Sequence, residues 1–278
     1  MIHRILVAAD FSATSVNSLR FVRPFIQDIQ AELLVLHVMP EAGLDLPSAV
    51  RTSMLEKEKK KKIRKLHRLF GIYPHKEKKE KENLKQVEFM VLEGNVVEQI
   101  TQISQTKQID LIVIGTKEKH SLEDYLLGSV STNLIRKTSL PILIIPQGCT
   151  YHQFRKIAFA SSNYLTKEPV INFLEKLAVF FGASLTQFHV HTLPRDFSSK
   201  KEEIVNTLEM DENTDNYSNI TIIRDKSVLR GIDFFIEKNR PDLLALYLSP
   251  KSFFGQLIHR SKSKQLVYRS KVPLLLIS

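Results

Sequence analysis

A chain of 278 residues with 43% hydrophobic and 25% charged side chains is long enough for two domains of ordinary size and has the composition of a soluble globular protein. No apolar run reaches the roughly eighteen residues a membrane helix needs, and MIHRILVAADFS enters a strand pattern without the regions of a leader peptide, so a cytoplasmic location and no membrane partner are expected. The net charge of +10 sits almost wholly in one segment: eleven Lys and two Arg face four Glu between Lys57 and Lys85, and the remainder is near neutral, unlike a domain that spreads a basic face along a duplex. Nucleic acid is therefore not an expected partner. The single cysteine, Cys149, excludes an internal disulfide, offers no zinc-type cluster and reads as a lone thiol in a linker.

In chain order, Ile5 to Ala9 reads as a strand, followed by a polar loop with Ser and Thr capping options and an amphipathic helix. Val16, Leu19, Phe21, Val22, Phe25, Ile26 and Ile29 supply that helix with an apolar stripe at helical spacing. LLVLHV is the second strand. The stretch from Leu46 to Lys85 interrupts the pattern with a predicted helix, MLEKEKKKKIRKLHRLF, and a Lys/Glu-rich linker around Tyr73 and Pro74. It is either an electrostatic site for an acidic partner or a solvated helix face held down by Leu55, Ile63, Leu66 and Phe70. The second reading is favoured because aromatic residues are not interleaved with the basic ones. A strand at Val87 to Leu92, a helix at Val96 to Thr106, a strand at Leu111 to Ile114, a further helix and a closing strand, LPILII, complete the first half.

The second half repeats the first. RKIAFASSNYLTKEPVINFLEKLAVFFGASLTQFHVHT, from Arg155, lies without a gap over HRILVAADFSATSVNSLRFVRPFIQDIQAELLVLHVMP, from His3, with Ile157 on Ile5, Ala183 on Ala31 and His189 on His37. DLLALY lies over DLIVIG and VPLLLIS over LPILIIP. Strands at Ile157 to Ala160, LTQFHVH, Ile220 to Arg224 and Asp242 onward alternate with helices, one at Val228 to Asn239, as in the first half. Alternating strands and helices imply crossover units and mostly parallel sheets, whose ligands sit at the carboxyl ends of the strands. The expected fold is α/β, with domains at 1–148 and 152–278.

The stretch DLIVIGTKEKHSLEDYLLGSVS, Asp110 to Ser131, carries the functional signal. Gly115 is expected to end a buried strand, and Gly128 and Ser129 to open a helix that Ser129 or Ser131 caps; a helix start with free N–H groups attracts anions. This loop resembles the nucleotide-binding motif of the universal stress protein family, G-x2-G-x9-G-[S/T], with Gly115, Gly128 and Ser129 at matching spacing and Glu118 in place of the second glycine. The resemblance covers both halves apart from the Lys-rich insertion. It implies two tandem Rossmann-like, adenine nucleotide alpha hydrolase-like domains, each a mostly parallel five-stranded sheet flanked by helices. It implies ATP, with magnesium, as the ligand of the first domain, held by Asp10, Val38, Ile114, Gly115, Val130 and Ser131 together with Glu118, Gly128 and Ser129. It also implies pairing through the last strands, joining the halves as an internal pseudo-dimer and leaving a homodimer open. A carboxylate about 5 Å from a phosphate charge costs roughly 3 kcal/mol at an effective dielectric of ~20. Lys117, Lys119 and His120 offset part of that cost if they face the phosphates, and a Glu118 side chain turned to solvent removes most of it.

In the second copy the positions matching Asp10, Gly115, Glu118, Gly128 and Ser129 are Ser162, Tyr247, Pro250, Arg260 and Ser261, so no nucleotide site of this type is expected there. SFFGQLIHRSKSK, from Ser252, is predicted to be a helix that packs through its phenylalanines. His37, His189 and His191 lack a nearby third ligand for a metal. The elbow of serine hydrolases, the zinc-protease helix and the common phosphate loop are absent. No catalytic residue is assigned, since a carboxylate beside phosphates is a poor general base. The implied role is a stress-response sensor or regulator, at most a slow ATPase; the alternative is a stress-response scaffold that binds no nucleotide and acts through protein–protein contacts.

Overall fold

The computed structural model describes residues 2–41, 48–71, 86–116, 129–161, 168–192, 203–210, 217–248 and 272–278. They form two compact units, with the chain passing from one to the other between Tyr151 and His152. Both are α/β.

The first unit contains β1 (Arg4–Ala8), α1 (Ala13–Ile29), β2 (Glu32–Met39), α2 (Ser48–Phe70), β3 (Val87–Glu93), α3 (Val96–Thr106), β4 (Leu111–Thr116), α4 (Ser129–Lys137) and β5 (Ile142–Pro146). Its strands lie in the order β3-β2-β1-β4-β5, and every pair is parallel. The near-continuous apolar runs of β1, β2, β4 and β5 follow from burial on both faces, whereas the edge strand β3 is half-exposed. Strand order reverses between β1 and β4, and the carboxyl ends of those strands open a crevice there. Ser12 caps α1, its hydroxyl accepting from the Ser15 N–H, and the helix buries Leu19, Phe21, Val22, Phe25 and Ile26.

The Lys-rich helix α2 is held by one apolar stripe. Leu66 and Phe70 are buried, Leu55 and Ile63 half-buried, and Phe89 of β3 meets the rings of His67 and Phe70 edge-on at 4.4 and 5.9 Å. The Lys/Glu-rich linker lies outside the described residues.

The second unit contains β6 (Lys156–Ser161), α5 (Glu168–Phe181), β7 (Ser184–Thr192), β8 (Glu203–Met210), β9 (Tyr217–Asp225), α6 (Val228–Asn239), β10 (Leu243–Tyr247) and β11 (Leu274–Ile277). Strands β11, β10, β6, β7 and β9 are parallel in that order, repeating the arrangement of the first unit. The repeat extends to individual hydrogen bonds. Asp110 Oδ2 accepts from the backbone N–H groups of His3 and Arg4 at 2.7 and 2.9 Å, and Asp242 Oδ2 from those of Arg155 and Lys156 at 2.7 and 2.8 Å. His37 Nδ1 bonds the Ala9 carbonyl at 2.7 Å, and His189 Nδ1 the Ser161 carbonyl at 2.9 Å.

Three expectations are corrected. The second unit has a sixth strand: β8 pairs antiparallel with β9, from Glu203 with Arg224 to Met210 with Tyr217, where the first unit carries α2. Gly115 does not end β4; it lies within the ladder, paired with Ile145, as Tyr247 is paired with Ile277. Helix α4 begins at Ser129, so Ser129 and Ser131 stand inside its first turn rather than at the capping position before it. The helix expected from Ser252 lies outside the described residues.

The segment after β5 is tied back onto α1. Asn17 Nδ2 donates to the carbonyls of Pro146 and Cys149, and the Tyr151 hydroxyl donates to Asp28 at 2.7 Å while its ring packs edge-on against Phe21 and Phe25. Cys149 is half-buried there, and burial pushes its thiol up to about 11. Only the thiolate is nucleophilic. Alkylation by iodoacetamide is therefore expected to be slow at neutral pH and to keep rising towards pH ~11, instead of levelling near the free-cysteine value of ~8.5. A pH–rate profile of the native protein read by mass spectrometry checks this, with urea-unfolded protein as the reference.

Candidate functional site

The site begins at the turn from β1 to α1. The Ser12 N–H donates to Asp10 Oδ1 at 2.9 Å, and the Ser12 hydroxyl is shared between the Ser15 N–H and the Thr14 hydroxyl. These bonds hold the carboxylate at the carboxyl edge of the sheet. Burial alone pushes the Asp10 carboxyl up, but hydrogen bonds from the Ser12 hydroxyl and N–H and from Ser15 outweigh it, leaving the group below its ordinary value and ionised at neutral pH.

Between Asp10 and Ser12, Phe11 has φ of 65°, the left-handed region, which is a strained conformation for a bulky side chain costing of order 1–3 kcal/mol. Contacts around its ring offset that strain. The ring lies 4.4 Å from that of His37, and Lys65 Nζ of α2 stands 4.3 Å from its centroid. A carbonyl can only accept, so His37 donates from Nδ1 to Ala9. Burial, together with the charges of Lys62 and Lys65, outweighs that bond and Asp10 and lowers the imidazole's pKa. His37 thus ties the end of β2 to the Asp10 turn as a neutral ring.

A cavity of about 260 Å³ opens at this edge. Asp10, Val38, Ile114, Gly115, Val130 and Ser131, each expected from the sequence to belong to one site, all line it. Ser129 is the first residue of α4, and its side chain lies outside the described set, as do Glu118, Gly128, Lys117, Lys119 and His120. The wall also includes residues that the sequence reading missed: Thr14 and Ser15 of the first turn of α1, Leu36 of β2, and Val96 and Ile100 of α3. Thr14 and Ser15 carry a signal, because they follow the Ser12 cap and so stand at the carboxyl edge; the apolar side chains of Val96 and Ile100 carry none. Asp10 is the only ionisable side chain among the described lining residues.

Gly115 has a packing role in this wall. A Cβ at this position would fall 2.6 Å from the Thr14 carbonyl oxygen and 2.5 Å from Ser18 Oγ. Only a residue without Cβ lets the start of α1 approach β4 this closely.

At the matching place in the second unit, buried Tyr247 occupies the Gly115 position and Val190 the Val38 position. Gly231 allows α6 to press directly onto that valine, since a Cβ on Gly231 would fall 2.5 Å from Val190 Cγ1. Ser162, Pro250, Arg260 and Ser261 lie outside the described residues. Among the described residues no group of three His, Cys, Asp or Glu is placed to hold a metal ion, and no helix is long and apolar enough to cross a membrane.

Residues 1–146 match the model of the universal stress protein family, slightly more than half of the chain. This chain belongs to the universal stress protein family. A universal stress protein of Methanocaldococcus jannaschii is 30% identical over 158 residues, covering 52% of this chain and 95% of that relative. The universal stress protein YxiE of Bacillus subtilis is 29% identical over 147 residues, 52% of this chain and 99% of that protein. Among solved structures, a universal stress protein from Archaeoglobus fulgidus superposes with a TM-score of 0.69 at 16% identity, covering 99% of this chain and 96% of the other. The curated relatives thus correspond in length to about half of this chain, whereas the similarity of fold to the Archaeoglobus protein runs through nearly all of it.

Proposed function

We propose that the first unit of this universal stress protein binds an adenine nucleotide, ATP with magnesium, in the cavity at the β1/β4 crevice, and that it acts as a stress-response sensor or regulator. The observation that carries this reading is convergence: the ends of β1, β2 and β4 and the first turn of α4 meet around one cavity through Asp10, Val38, Ile114, Gly115, Val130 and Ser131. The volume of about 260 Å³ suits the nucleoside portion of the ligand. Asp10 spends one oxygen on Ser12 and keeps acceptor capacity for the hydroxyl or amine donors of a nucleoside. Phosphates would extend towards the start of α4, where N–H groups without helical partners favour anions. With one carboxylate and no second acid–base group among the described lining residues, the cavity is better suited to holding a nucleotide than to turning it over quickly.

Calorimetric titration of nucleotide-stripped protein with ATP and AMP, with and without magnesium, is the test. Saturable one-to-one binding is expected, and the double change Gly128→Ala with Ser129→Ala is expected to remove it. Absence of heat at millimolar ATP, with binding appearing only in Glu118→Gly, would replace this reading with that of a scaffold that binds no nucleotide and acts through protein–protein contacts.

A further inference from the structure

The first unit holds a second cavity, which meets the first at Asp10. Successive side chains of a strand point to opposite faces, and at the end of β2 Leu36 and Val38 line the cavity described above while His37 and Met39 line another of about 400 Å³. This one opens on the α2 face of the carboxyl edge, and its volume lies within the range of small-molecule sites.

Its wall is chiefly apolar. Met39 rises from the strand, Met54 and Leu55 come from α2, and the Phe11 ring is fixed by its own strained backbone and by His37. Methionines adapt to flexible apolar ligands. Met54 is 49% exposed, so a ligand would take apolar surface out of water that the fold itself leaves wet.

The charges in the wall differ in how they are occupied. Glu93 pairs with Arg51 at 3.6 Å and Glu58 with Lys61 at 3.6 Å, while Asp10, held by the neutral Ser12 N–H, keeps its negative charge. Lys62 has its ammonium 5.3 Å from the Phe11 ring centroid and, among the described residues, no carboxylate within ion-pair distance. It belongs to the most basic of the described helices, whose positive field opposes that of the wall carboxylates Asp10, Glu58 and Glu93.

We infer that this cavity binds a medium-chain fatty acid, its alkyl chain against Phe11, Met39, Met54 and Leu55 and its carboxylate at Lys62. The inference does not rest on the nucleotide reading: the two cavities lie on opposite faces of β2 and, among the described lining residues, have Asp10 alone in common.

The test is calorimetric titration of the full chain with decanoate, kept below its aggregation threshold, and with decanol as the uncharged counterpart. Wild type is expected to bind decanoate saturably at one site. Lys62→Met, which keeps the side-chain stem, is expected to weaken decanoate roughly fivefold to tenfold and to leave decanol unchanged. Met54→Glu, at a position already half in water, is expected to weaken both ligands, with circular dichroism checking that each variant is folded. Excess AMP should leave the decanoate isotherm in place whether or not the other cavity takes the nucleotide. No saturable binding, equal binding by wild type and both variants, or displacement of decanoate by AMP would each overturn the proposal.

Discussion

Replacing Gly115 with alanine is expected to destabilise the first unit by about 1–3 kcal/mol, the usual cost of forcing a methyl group into a packed site. The added Cβ would meet the Thr14 carbonyl oxygen at 2.6 Å, a backbone atom of α1 that cannot swing aside as a side-chain tip could. Relief requires the first turn of α1 to withdraw from β4, and that turn carries Thr14 and Ser15 of the cavity wall and follows the Ser12 cap that holds Asp10. Nucleotide affinity is therefore expected to fall together with stability. Urea unfolding of wild type and variant measures the first effect and calorimetry the second. Unchanged stability with lost binding would instead assign Gly115 to the ligand alone, as the motif by itself suggests.

The second large effect concerns the Lys-rich helix. Phe70 is 3% exposed, packs edge-on against Phe89, and has the Arg23 guanidinium 6.0 Å from its ring centroid. Phe70→Ala is expected to cost about 3–5 kcal/mol by the combined loss of apolar transfer and creation of a cavity. Chemical denaturation measures the total. Hydrogen exchange resolves whether the loss is global or confined to release of α2 from β3. A cost under about 1 kcal/mol would show that the end of α2 contributes little to the core, contrary to the packing described. In that case the lysines of this helix, and not its apolar stripe, would be the reason for its presence.

Much of the architecture was legible because two periodicities and one duplication are written plainly. The apolar runs LLVLHV and LIVI suit strands buried on both faces, and the spacing of Leu19, Val22 and Ile26 suits a helix lying on them. The duplication is deep enough that His37 and His189 make the same bond to the end of the neighbouring strand, although neither histidine announced that role. From the sequence Gly115 reads as the end of β4 and a ligand-loop glycine, because spacing says nothing of the distance between α1 and β4. The strand β8 was missed because it has no counterpart in the first copy: the same link between the second and third strands is a helix in one unit and an antiparallel strand in the other.

Alone, the sequence determined the α/β fold, the repeat and the placing of Asp10, Val38, Ile114, Gly115, Val130 and Ser131 towards one carboxyl edge, since each follows from local period, turn chemistry and chain order. Tertiary structure decided what the residues in that edge do. Asp10 is oriented by a serine two positions on and Phe11 is held in a strained backbone by a histidine from the next strand and a lysine from α2. The alternation of Leu36, His37, Val38 and Met39 becomes two separate cavities only when α2 covers one face and α3 and α4 the other. Contacts of that kind join residues far apart in the chain, and a sequence specifies them only through the packing of the whole unit.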